Sequence, residues 1–120
     1  MKGNLKKLIL ENILESMVFD NPGKGTSTVT KVTPDHITYM RGHSKIPVKL
    51  DDLNNAYEQF YGSKCSTNDL KQYKPSVFSS KDKGHSCNCT FLFSLLQYLH
   101  LSSEIKGHGV QGDPFYVIIE

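Results

Sequence analysis

The chain contains a single arginine, Arg41, among 14 basic residues. That scarcity argues against extensive bidentate reading of base edges, the task for which a planar guanidinium is suited. Three cysteines cannot all pair within one chain, and no Cys-x-x-Cys unit is present. Both points favour a reducing compartment over a disulfide scaffold. No apolar run reaches the ~20 residues of a membrane-spanning helix, so no membrane association is expected. The opening lysines and leucines give way at once to Glu11 and Asn12 rather than to an export-signal core, and the expected location is cytoplasmic. Gly23-Lys24-Gly25 lacks a preceding strand and a Gly-Lys-Ser/Thr ending, which excludes a phosphate loop of the nucleotide-binding kind. Aromatic and basic residues do not alternate, so there is no stacking platform for a single strand.

What is present is a composition that folds: 120 residues, 38% hydrophobic and 22% charged, with a net charge of +2. One domain, residues 1–120, is the natural expectation. It is organised around 87–99, C-N-C-T-F-L-F-S-L-L-Q-Y-L, which is too long for a typical strand and free of helix breakers. Phe91, Leu92, Leu95, Leu96 and Leu99 fall at helical spacing. Asn88, Thr90, Ser94 and Gln97 form the polar interruptions.

In chain order, Asn4 is placed to cap an N-terminal helix reaching about Val18, within a 1–19 element. Asp20-Asn21-Pro22-Gly23-Lys24-Gly25 is a turn. Residues 26–32, 36–40 and 45–50 read as a three-strand antiparallel meander spanning 26–50, with Pro47 marking an edge strand. Residues 51–60 form a helix with Asp51 or Asp52 at its start. Ser66 caps a short helix over 67–73 with Asp69 in its first turn, and Pro75 ends it. Residues 79–86 are a polar connection. Residues 104–106 and 115–119 read as a hairpin around a glycine-rich loop, with an alternative in which the last strand joins the meander.

From residue 51 onward, helix, short helix, long helix and hairpin follow in the order that resembles a winged-helix unit. The fold class expected is therefore α+β: a winged-helix-like portion over 51–120, preceded by the N-terminal helix and the meander. The resemblance rests on element order. It implies that 87–99 sits where a recognition helix would, with Asn88 and Gln97 facing base edges and Thr90 and Ser94 facing phosphates. Lys81, Lys83 and His85 precede that helix, Lys106, His108 and Gln111 lie on the wing, and Arg41 and Lys45 belong to a stretch, 36–50, without acidic residues. The function expected is a non-catalytic accessory domain binding double-stranded DNA, with lysines drawing in phosphate. A protein-interaction module, or a homodimer through the N-terminal helix, is the alternative.

A small cysteine- and histidine-dependent enzyme is the third reading. His85-x-Cys87-x-Cys89 invites a metal or a thiolate at a helix start. However, residues two positions apart on a regular helix, such as Cys87 and Cys89, lie about 200° apart around it, so both thiols cannot converge on one ion without distortion. No cofactor, metal or catalytic residue is assigned. Asn88-Cys89-Thr90 matches a glycosylation sequon by chance, since that modification requires export.

Overall fold

The computed structural model of the chain describes residues 4–120, so the first three residues of the expected N-terminal element lie outside the described residues. Over the described residues the protein is an α+β fold with a four-stranded antiparallel sheet, a two-stranded sheet and five α-helices. The winged-helix arrangement is not confirmed.

Helix α1 (Leu5–Asn12) begins at Asn4, whose side chain accepts from the Lys7 amide at 3.1 Å. It ends six residues earlier than its apolar pattern predicts. The chain turns instead through Ser16, which adopts φ 78°, and pairs Val18–Asp20 as strand β1 against β2 (Thr26–Val32). The meander therefore has four strands, continuing through β3 (His36–Arg41) and β4 (Ser44–Lys49) in the order β1-β2-β3-β4. Pro47 lies on the edge strand β4, where its missing amide costs no ladder bond. Gly42 at φ +62 and His43 make the two-residue turn between β3 and β4, a conformation that requires positive φ at its first position. Arg41 is thus the last residue of a strand rather than part of a turn.

The inner face of the meander follows period two. Ser27 and Val29 on β2, Ile37 and Tyr39 on β3, and Ile46 and Val48 on β4 are all buried. A bulge between Val29 and Lys31 then shifts the register of β2. Against this face lies α5 (Cys87–Tyr98), buried from Phe91 through Leu96. The Tyr39 ring stacks on Phe91 with centroids 3.8 Å apart and planes 10° from parallel. Each such fully buried side chain contributes ~1.5–3 kcal/mol through removal from water, so the sheet–helix contact is the core of the molecule.

Helix α2 (Leu50–Gln59) follows β4 without a loop. Its N-cap is Lys49, and Asp51 and Asp52 occupy the first turn instead of capping it. Both acids ion-pair, Asp51 with Lys6 at 2.9 Å and Asp52 with Lys74 at 3.0 Å, tying α2 to α1 and to the end of α3 (Thr67–Tyr73). Ser66 and Asp69 form the reciprocal capping box of α3. Pro75 ends α3 and also opens α4 (Pro75–Phe78), using the first-turn position where proline's lost amide is harmless. The connection from 79 to 86 contains a 3-10 turn at Ser80–Asp82 and is closed by Ser80–Ser86 hydrogen bonds. Gly84 is required there, because a Cβ would come within 2.7 Å of the backbone of α4.

The C-terminal expectation needs the largest correction. Strand β6 (Tyr116–Ile118) does not join the meander, and the expected hairpin with 104–106 is kept only in part. The strand pairs antiparallel with β5 (Lys64–Ser66), placed just before α3. Lys106–Tyr116 and Ser102–Ile119 survive as isolated bridges on its other side. The final strand thus closes onto the middle of the chain, and there is no free-standing wing.

Candidate functional site

The first turn of α5 is joined to β3 by two side-chain links of equal sequence span. Tyr39 Oη donates to Asn88 Oδ1 at 2.7 Å. Two residues further along each element, Arg41 Nη1 donates to Thr90 Oγ1 at 2.9 Å. Asn88 also donates through Nδ2 to the Val77 carbonyl at 2.9 Å and is 2% exposed. Its amide is a cross-brace of the core, and so it does not present an edge to a base. Burial pushes the Tyr39 phenol well above its ordinary range, outweighing the opposing effect of Arg41.

Arg41 has the same inward parity as Ile37 and Tyr39 but sits at the end of the strand, where the core opens. Its guanidinium donates to Ser27 Oγ at 3.0 Å, Asn21 Oδ1 at 2.9 Å and Thr90 Oγ1 at 2.9 Å. All three acceptors are neutral. Ser27 Oγ also donates to Asn21 Oδ1 at 2.7 Å, and Asn21 Nδ2 donates to the Lys24 carbonyl at 3.2 Å, so the 21–25 turn is fixed in place by the same cluster. Among the described residues no carboxylate lies within 4.0 Å of Arg41.

Arg41 forms one wall of a cavity of about 280 Å³, shared with Lys24, Cys87 and Thr90. A neighbouring cavity of about 380 Å³ is lined by Thr67, Asn68, Lys71 and Gln111. The two have Ser86 and Phe115 in common, so they adjoin beside the start of α5, and the pair is termed the groove. Three cations line it and no carboxylate does. Its outer lip is the 107–114 loop. Gly109 is needed there, since a Cβ would fall 2.3 Å from the Phe115 ring. At the loop tip Val110 and Asp113 bond across a turn whose third residue, Gly112, has φ +83, as a type II turn requires.

The structure brings together three of the residues singled out in the sequence, Arg41, Thr90 and Gln111, and disperses the others. Ser94 is buried at 7% exposure, and Gln97 is exposed with its Oε1 accepting from the Ile105 amide at 3.2 Å. Asn88 is sealed against the core and Ser94 is nearly so, reaching only a cavity beside Val18, Phe19 and Tyr98, so the polar residues of α5 do not form one continuous free edge. Lys83 and His85 border a separate cavity of about 290 Å³ with His36 and Lys49. Lys45 and Lys81 are exposed. Lys106 pairs with Glu104 at 3.6 Å, and His108 bonds to Asp113 within the loop. Sequence reasoning missed Lys24 and Lys71 as site residues. Lys24 was hidden in a turn, and Lys71 reaches the groove only because β5–β6 pairing sets α3 beside the glycine loop.

The cysteines divide in the same way. Cys65 and Cys89 are buried, and burial raises both thiols, Cys89 to about 12; neither is a nucleophile at neutral pH. Cys87 is half-buried at the groove, whereas His85 lies on the other cavity. Among the described residues no group of three or more His, Cys, Asp or Glu side chains is arranged to hold a metal ion. No described helix is long and apolar enough to cross a membrane.

No protein-family model, no curated protein and no solved structure matches the chain.

Proposed function

We propose that this chain is a non-catalytic DNA-binding domain that meets the phosphate backbone with the groove at the start of α5. The observation that carries the proposal is the composition of that groove: Lys24, Arg41 and Lys71 line it, and no carboxylate does. Structural cations near a protein core are ordinarily paired with acids. Of the acids on the bordering elements, Asp69 is engaged in the α3 cap and Asp113 with His108, so the cationic field is left for a ligand. Lys45, Lys81 and Lys83 are exposed and add to the general attraction for phosphate without fixing a sequence. Winged-helix docking, with α5 lying in a major groove, forms no part of the proposal.

The test is fluorescence anisotropy of a labelled mixed-sequence duplex at 50 and 200 mM salt. Binding that weakens steeply with salt supports phosphate contact. A Lys24→Glu, Lys71→Glu double variant should bind more weakly and with a shallower salt slope. A folded sample with no binding at low salt would overturn the proposal.

One observation favours a second reading, docking of a protein or of a second copy. Leu14 and Val18 are 65% and 57% exposed, and Tyr98 is 46% exposed. Val18 and Tyr98 flank a cavity with Phe19 and Ile105. Helix α1 itself buries Leu5 and Ile9 internally, so a dimer would use this adjoining patch rather than the main face of α1. Sedimentation across a concentration series distinguishes the two.

A further inference from the structure

We infer that the Arg41 cavity is a seat for one phosphate group, with Arg41 at its wall and Lys24 at its rim. The inference rests on the DNA reading for the origin of that phosphate, but its evidence is separate: the wiring of a single side chain. A guanidinium carries five N–H donors. Three are engaged by Ser27, Asn21 and Thr90, which leaves one on each terminal nitrogen, and Arg41 is half-buried against the cavity.

Those three partners satisfy hydrogen bonds without neutralising charge. They also lock the fork, since each comes from a different element: Ser27 from β2, Asn21 from the turn and Thr90 from α5. A surface arginine loses side-chain freedom when it is fixed on a ligand. Here folding has already fixed it, so an arriving oxyanion meets a positioned cation. Two features add to the field: Lys24, exposed on the turn that Asn21 ties to Arg41, and the start of α5, whose Ser86 and Cys87 line the cavity and whose amide dipoles favour negative charge. A neutral ligand would leave this cation uncompensated. A tetrahedral phosphate oxygen pair matches two donors on adjacent nitrogens.

The chain's single arginine makes the test direct. In a ¹⁵N-labelled sample it gives one side-chain Nε–H resonance, and the bond to Ser27 slows its exchange with water. Inorganic phosphate should shift that resonance saturably, where sodium chloride of equal ionic strength does not. Lys24→Ala, which removes no hydrogen bond of the cluster, should weaken the phosphate response two- to fivefold, the effect of one exposed charge.

Duplex DNA with 5′-hydroxyl ends and the same duplex with 5′-phosphates then separate the sources. A shift with both assigns an internal phosphodiester, and a shift with the phosphorylated duplex alone assigns a strand end. A resonance that responds to phosphate no more than to chloride overturns the seat. If DNA still binds in a salt-sensitive way in that case, the DNA reading survives without it. A phosphate response with no duplex binding has the opposite meaning: the seat stands and the DNA reading falls.

Discussion

Tyr39–Asn88 and Arg41–Thr90 are neighbouring rungs between the same strand and the same helix, yet they differ in kind. The first is neutral, buried and closed, because every polar atom of Asn88 that faces inward has a protein partner. The second is charged, half-buried and open, with donors still available after its protein partners are counted. Moving two residues along β3 takes the chain from the interior to the rim, and the same type of cross-link changes from a brace into a binding group. The contrast teaches that a polar residue on a central helix is read by its partners' completeness rather than by its type.

The comparison breaks most sharply on stability. Asn88→Ala leaves the Tyr39 hydroxyl buried without a partner and takes from the Val77 carbonyl one of its two hydrogen bonds, the His85 amide remaining, and should cost about 2–3 kcal/mol in urea denaturation. Arg41→Met removes three hydrogen bonds at a half-exposed site and should cost less, about 1–2 kcal/mol, while abolishing most phosphate-dependent binding. If the two losses were equal, or if Asn88→Ala affected binding in a folded sample as strongly as Arg41→Met, the division into brace and binding group would fail.

A pH titration sharpens the interior side. Cys89 is held neutral in the fold by burial, and its thiol is pushed up to about 12, whereas an unfolded cysteine titrates near 8.5. The folded form therefore retains the proton more tightly. The stability this contributes is complete below the unfolded value and is lost as pH rises from about 9 towards 12. Cys65 and Tyr39 shift in the same direction, so the urea midpoint should fall between pH 8.5 and 10.5. In the native protein at pH 8, Ellman's reagent should label one thiol, Cys87, well before the other two.

The smallest effect belongs to the far end of α5. His100 holds the left-handed position of a Schellman motif at φ 60, with the Leu101 amide bonded to the Leu96 carbonyl at 2.9 Å. Glycine adopts that conformation without strain. His100→Gly should therefore stabilise by about 0.5–1 kcal/mol and leave DNA affinity unchanged, as expected if binding is confined to the start of the helix.

Much of the frame was legible in the sequence. The span of α5 was readable to within a residue because no charge interrupts it. The strands β2, β3 and β4 were readable from alternation, and α3 from its Ser66–Asp69 cap. Strand β6 fell within the strand read at 115–119, but β1 and β5 did not show, since three-residue strands carry no period and Lys64–Ser66 finds its partner some 50 residues away at Tyr116–Ile118. The site was half legible. Arg41 shares the parity of Ile37 and Tyr39, and extending the strand by one residue would have placed it inward. Asn88 was misplaced because an amide between two cysteines suits a solvent edge and a buried brace equally well. Lys71 depended on tertiary pairing that no local pattern encodes.

The central claim, that the uncompensated charge at Arg41 belongs to a phosphate, is tested most directly by the salt dependence of duplex binding in the wild type and in Arg41→Gln, with folding of both verified by circular dichroism. If the charge does belong to a phosphate, the slope of log affinity against log salt is shallower by about 0.9 in the variant, the signature of one lost phosphate contact. Parallel slopes with equal affinities would contradict the claim.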